Sequence, residues 1–291
     1  MLEKNENFLY FDAHFHIADC IRDSRVEHGN DTESYGNDTT YELSLSGLTR
    51  QSAWYACTCS HSMEEWKITE ALQSAVPEAL EGQGPRGPHI YLSYGLHPQS
   101  AGHINVDENA AFLEQLLQQK KLNAIGEAGF DYFNDEFKSN AAIQEQMFNL
   151  QLDLALQYNM PMVIHCRKAN QKLFEYSRQL KKIPAVLFHS FMGMPNEAKS
   201  LLDRGINGYF SFGKQVLNNN KKVIACVREL LETVLLTETD APWQFLKGET
   251  HTTPADIKKI FEAFCQIRQA SPKQLEQTFK KNFFNLFCIK Q

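Results

Sequence analysis

The sequence predicts an α/β fold, a slightly distorted (β/α)8 TIM-type barrel of parallel strands. Three observations carry this prediction. Eight short, β-prone apolar runs are spread over 291 residues. Longer stretches with helical periodicity lie between them. Polar residues of metal-binding type close several of the runs, and a parallel barrel gathers its strand ends on one face. Strands alternating with helices need crossover connections, which favour parallel pairing. An open doubly wound sheet is the alternative. No Gly-x-Gly-x-x-Gly follows the first run, which weakens a dinucleotide-binding version of it. The whole chain, 1–291, reads as one barrel domain.

The first run, 8–12, leads into a polar cluster. Residues 18–47 are rich in Asp, Glu, Asn, Ser and Thr and read as a long acidic insertion loop after the first strand. Strand runs follow at 52–57, 90–96, 124–127, 162–165, 185–189, 209–212 and 234–238. The segment 81–88 (EGQGPRGP) is a turn-rich connector. Phe112, Leu113, Leu116 and Leu117 mark one helix face. Ile143, Met147, Leu150 and Leu154, spaced +4, +3, +4, mark another. Pro195 suits a first helical turn leading into Ala198, Leu201 and Leu202. Pro254 opens a helix carrying Ile257, Ile260, Phe261 and Phe264. Pro272 opens the last, carrying Leu275, Phe279, Phe283 and Leu286.

Composition narrows the function classes. Hydrophobic residues at 43% and charged residues at 22% exclude a disordered chain, a collagen and a coiled-coil rod. With Lys+Arg 29 against Asp+Glu 35, the net charge of −6 argues against broad adhesion to nucleic acid or membrane. It leaves room for a local site made positive by metal ions. No apolar run is long enough to span a bilayer. The N-terminal residues lack the basic and apolar regions of a signal peptide. Seven cysteines without a Cys-x-x-Cys pair read as reduced thiols, which places the protein in the cytoplasm. Cys57 and Cys59 share one face of a strand and read as core, since two further metal ligands are missing.

The strongest chemical signal is Asp12-Ala13-His14-Phe15-His16. On an extended chain, residues i and i+2 face the same side, so both imidazoles reach one point. A loop with two unrelated histidines would look the same in isolation. Four other groups close strand runs, however: Glu127, His165, His189 and Asp240. Four imidazoles and two carboxylates at one barrel mouth suit one or two divalent cations. No cysteine belongs to the set, which argues against a closed structural zinc site.

Seven pieces in order resemble the TatD family of metal-dependent hydrolases, within the amidohydrolase-like barrels. They are Asp12 to His16, Gly95-Leu96-His97-Pro98, the GEAGFDY of 126–132, Ile164-His165-Cys166-Arg167, His189-Ser190-Phe191, Glu238-Thr239-Asp240-Ala241-Pro242, and 282–287. The resemblance implies two divalent ions (Mg, Mn or Zn) held by His14, His16, Glu127, His165, His189 and Asp240. Glu127 would bridge them, with His14, His16 and Asp240 on one ion and His165 and His189 on the other. Glu127 and Asp240 would be catalytic, and Asp240 would take a proton from the attacking water. Arg167 faces the same side as His165 if the chain stays extended, and reads as a phosphate clamp. His97 is the second substrate-binding candidate. Asp131 reads as a group that orients a loop or a histidine. Phe191 and Trp243 read either as base-stacking groups or as core.

Three positions depart from the family pattern. Gln99 stands where a histidine is common. Ser190-Phe191-Met192-Gly193 replaces a Cys-Phe-Ser-Gly. The segment 246–254 (LKGETHTTP) is less basic than usual. The leading expectation is a deoxyribonuclease, a 3'-5' exonuclease that hydrolyses single-stranded DNA with water activated by the two metals. An esterase or amidase, for example an aminoacyl-tRNA deacylase, is the alternative. A metal-binding scaffold without turnover is the third. Neither a membrane nor an obligate protein partner is expected.

Overall fold

The computed structural model describes residues 8–26, 54–75 and 88–289. Among them, eight strands are β1 (Tyr10–Phe15), β2 (Trp54–Ser60), β3 (Pro88–Tyr94), β4 (Ala124–Asp131), β5 (Met162–Arg167), β6 (Val186–Phe188), β7 (Gly208–Phe212) and β8 (Leu235–Thr237). They run parallel in chain order from β1 to β8. Helices link them on the outside, giving a nearly closed TIM barrel as the sequence predicts.

The distortion is local and falls where chemistry is expected. The β1–β2 register slips between Asp12 and Phe15, and the β4–β5 register slips between Ile125 and Ala128. His14 and Glu127 occupy these irregularities, which re-aim side chains as bulges do. Gly126 and Gly129 flank Glu127 at φ 135° and 149°. A Cβ at either would collide with β5 backbone, at Val163 O and His165 O respectively.

No ladder pairs β8 with β1 among the described residues; side chains and loop backbone join them instead. The buried Asp12 carboxylate accepts from Thr239 N at 2.8 Å and Thr239 Oγ1 at 2.6 Å. Thr237 Oγ1 donates to Phe11 O at 2.5 Å. Asp240 N donates to His14 O at 2.9 Å, and His16 N to Ala241 O at 2.8 Å. Burial pushes the Asp12 carboxyl well above its usual range, against the lowering hydrogen bonds from Thr239.

The closing helix Pro272–Phe287 covers the start of the barrel. Phe283 packs its ring 5.7 Å from Phe11 and 5.1 Å from Tyr91, and Leu275, Phe279 and Leu286 are buried beside it. Asn282 Nδ2 donates to Glu232 O and Leu235 O, both at 2.8 Å, tying this helix to the entry of β8. The helix Ile257–Arg268 buries Ile257, Ile260, Phe261 and Phe264 as expected.

Two expectations are corrected, and one alternative is decided. The helix Ala141–Gln157 buries Gln144, Met147, Phe148, Gln151, Leu152 and Ala155, a face rotated from Ile143, Leu150 and Leu154. Two glutamines point inward because each bonds a strand-end loop. Gln144 brackets Asp131, accepting from its N at 2.9 Å and donating to its O at 3.0 Å. Gln151 treats Leu96 the same way, at 2.8 and 3.1 Å. The 18–47 segment does not begin as a loop: Ile17–Val26 is a helix, anchored by buried Ile17, Ala18 and Ile21. Its remainder, 27–47, and most of the 81–88 connector lie outside the described residues. Of the two readings of Phe191 the core one holds: it is 4% exposed and edge-on to Phe210 at 4.9 Å, and so offers no stacking face.

Candidate metal centre

Seven of the eight strand ends deliver an ionisable side chain to one cavity of about 520 Å³. His14 comes from β1 and His16 directly follows it, Glu127 comes from within β4, and His165 from within β5. His189 and Asp240 follow β6 and β8. His97 precedes a short turn after β3, and His61 follows β2. All six predicted metal ligands therefore meet. Asp240 sits at φ 53°, a backbone conformation that asparagine and aspartate tolerate better than most residues.

The Glu127 carboxylate divides the histidines between its two oxygens. Oε1 lies 2.6 Å from His165 Nδ1, 2.7 Å from His189 Nε2 and 3.2 Å from His97 Nε2. Oε2 lies 3.0 Å from His14 Nε2, 3.6 Å from His16 Nε2 and 3.5 Å from His61 Nε2. Asp240 Oδ1 joins the second group, 3.3 Å from His16 Nε2 and 3.6 Å from His14 Nε2. Its other oxygen accepts from Gln244 Nε2 at 2.8 Å.

This donor set fits divalent cations. Ring nitrogens approach in pairs, His14 to His16 at 3.2 Å and His165 to His189 at 3.3 Å. Two imidazole nitrogens facing each other at that range share at most one proton, so lone pairs are left converging on the same space. Imidazole and carboxylate donors without thiolate suit Zn, Mn or related ions. Thiols stay out of the set: Cys57 is buried as expected, and the Cys59 thiol rests against Gly126 O, donating to it at 2.7 Å.

The electrostatics centre on Glu127. Burial alone would raise it, but the imidazoles of His189, His97 and His14 outweigh burial and hold it well below the usual carboxylate range. Burial lowers His16, yet the hydrogen bond and charge of Asp240 lift it to about 9. Burial works against His165 too, and Asp131 and Glu127 raise it nonetheless. Burial pulls His97 down to about 3, so it is a neutral imidazole at physiological pH.

The remaining candidates are placed as follows. Arg167 lines the cavity mouth, is exposed, and stacks its guanidinium 3.5 Å from the Phe133 ring centroid. Asp131 is buried behind His165. Trp243 lines the mouth and is 50% exposed. Gln99 donates to Asp131 Oδ2 at 2.8 Å, so this departure from the family pattern is absorbed into the histidine's support. Two residues escaped the sequence reading. Glu238, buried, accepts from Ser211 Oγ at 2.6 Å and from Ser190 N at 2.8 Å, and its Oε2 lies 3.5 Å from His189 Nδ1. His61, which directly follows β2, is the other.

A parallel barrel with imidazoles and acids at its strand ends defines a metal-dependent hydrolase. The chain belongs to the TatD related DNase family, whose model matches residues 11–288. The 3'-5' ssDNA/RNA exonuclease TatD of Escherichia fergusonii is 32% identical over 213 residues, covering 69% of this chain and 79% of that protein. The uncharacterized metal-dependent hydrolase YabD of Bacillus subtilis is 31% identical over 206 residues, covering 69% and 78%. The crystal structure of YJJV, a TatD homolog from Escherichia coli, superposes with a TM-score of 0.76 at 22% identity, covering 97% of this chain and 98% of that one. No helix among the described residues is long and apolar enough to cross a membrane.

Proposed function

We propose that this protein is a deoxyribonuclease that removes nucleotides from the 3' ends of single-stranded DNA, using two divalent cations held across Glu127. The observation that carries this reading is the split of the Glu127 carboxylate between two donor groups. His14, His16 and Asp240 lie on the Oε2 side, and His165 and His189 lie on the Oε1 side. Bound divalent cations supply Lewis acidity toward phosphoryl oxygens and lower the pKa of a coordinated water.

The chain's own residues supply the rest. Asp240, steadied by Gln244, takes the proton of the attacking water. His97, neutral and 3.2 Å from Glu127, hydrogen-bonds the scissile group without adding charge. Arg167, held flat by Phe133, is preorganised to grip a non-bridging phosphate oxygen. Trp243 at the mouth offers a face for an unpaired base. The whole chain works as one catalytic domain. All seven cysteines are free thiols, which supports a reducing, cytoplasmic setting.

Digestion of end-labelled single-stranded DNA by metal-replete protein tests the proposal. We expect stepwise loss from the 3' end, abolished by chelator and by Asp240→Ala with the barrel still folded. Intact DNA alongside cleavage of aminoacyl or simple carboxylic esters would replace it with the esterase reading.

A further inference from the structure

His61 stands outside the six ligands of the proposed centre, yet its side chain turns toward them. The backbone around it is pinned by contacts that leave the imidazole uncommitted. His61 N donates to Glu65 Oε2 at 2.7 Å, while Ser62 Oγ accepts from Glu65 N at 3.2 Å, capping the helix Met63–Ala75. The ring lies between two site histidines, with centroids 4.9 Å from His16 and 4.7 Å from His97. Its Nε2 is buried, has no hydrogen-bond partner, and points to Glu127 Oε2 from 3.5 Å. That separation is too long for a good hydrogen bond. A buried nitrogen without a partner is unfavourable. The side chain as a whole is 19% exposed, so solvent lies within reach of the ring. Its inward orientation is explained if something in the site receives the lone pair.

We propose that His61 is a further metal ligand, on the Glu127 Oε2 side, which makes that position a nitrogen-rich site selective for transition-metal ions. His16, His61 and Glu127 each offer one donor atom within 4.8 Å of the others. With His14 and Asp240 beside them, the Oε2 side gathers three imidazoles and two carboxylates. Magnesium prefers oxygen ligands and keeps several waters. A third imidazole at one position therefore disfavours magnesium there and favours cobalt, zinc or manganese. This inference rests on the two-cation reading of the centre and adds to it a ligand and a selectivity.

The test is titration of the chelator-treated full-length protein with Co(II), followed by visible absorption and by bound-metal analysis, with Mg(II) as competitor. We expect wild type to bind two equivalents. His61→Ala weakens one of them at least tenfold and alters its d–d spectrum, while Mg(II) affinity moves less than threefold. His61→Asn repeats the measurement in case the alanine variant fails to fold. His165→Ala, a donor lost from the Oε1 side, weakens the other equivalent. His103→Ala, at an exposed histidine, changes neither. If His61→Ala and His61→Asn keep the wild-type Co(II) affinities and spectrum while His165→Ala does not, the His61 assignment is wrong and the two-cation centre stands. If wild type takes up fewer than two equivalents, both readings fall.

Discussion

Asp131 and His165 meet at 3.0 Å through Oδ2 and Nε2, and this contact decides which ring nitrogen of His165 faces Glu127. With Nε2–H donated to the carboxylate, Nδ1 is the nitrogen turned to Glu127 Oε1, 2.6 Å away, and is the one that would bind a cation in place of its proton. Asp131 is itself held by Gln99 Nε2, by Phe133 N at 2.8 Å, and by Gln144 through its backbone. Carboxylates that orient ligating histidines are typically worth 10–100-fold in metal affinity. Asp131→Asn therefore weakens Mn(II) or Zn(II) binding on the Oε1 side by about 10- to 100-fold. Gln99→Ala has a smaller effect in the same direction. Calorimetric titration of metal-free protein reads both, and an unchanged affinity in Asp131→Asn contradicts the assignment.

Trp243 presents half its surface at the cavity mouth, unlike Phe191, which is spent on the core. Stacking one base on an aromatic ring is worth about 1–3 kcal/mol. Trp243→Ala in an Asp240→Ala background weakens binding of a labelled single-stranded oligonucleotide by roughly 5- to 100-fold. Duplex binding falls less, since its bases are already stacked. Fluorescence anisotropy with both substrates makes the comparison, and equal losses for the two would remove Trp243 from base recognition.

The chain beyond β8 is anchored by an ion cluster that sets an acid limit on stability. Lys214, buried after β7, lies 2.6 Å from Glu249 Oε2 and 2.9 Å from Asp256 Oδ2. Lys259 reaches the other Asp256 oxygen at 2.8 Å. Burial opposes ionisation of Asp256, but Lys259 and Lys214 prevail and lower it to about 2 from 3.8. A depressed acid stabilises the fold above its unfolded value and loses that contribution as pH falls through the folded one. Asp256→Asn should thus cost on the order of 2 kcal/mol at neutral pH. The gap between variant and wild type closes between pH 4 and 2. Urea unfolding midpoints at pH 7, 4 and 2 show whether it does.

Much of this molecule was legible in its sequence because the candidate ligands sit where apolar runs stop. His14, His165 and His189 each end or follow a segment that could only be a buried strand, and parallel pairing then forces them together. The helix Ala141–Gln157 was out of phase because periodicity counts apolar residues, and two of its inward positions are glutamines serving Asp131 and Leu96. The helix Ile17–Val26 looked like loop because only three of its early residues are anchored in the core. Glu238 was not legible as a site residue because its partners, Ser211 and Ser190, lie 27 and 48 positions away. His61 was not legible because the apolar run before it stops at residue 57, whereas β2 continues through Thr58, Cys59 and Ser60 and delivers His61 directly at its end.

The seam between β8 and β1 gives the molecule an unusual economy of parts. Asp12 and Thr239 shut the wall, while the neighbouring Asp240 N to His14 O bond fixes two of the donors within reach of each other. Mechanical integrity and reactivity share one hinge-line here. The bonds that complete the wall are therefore also the ones that set how far apart the donors stand.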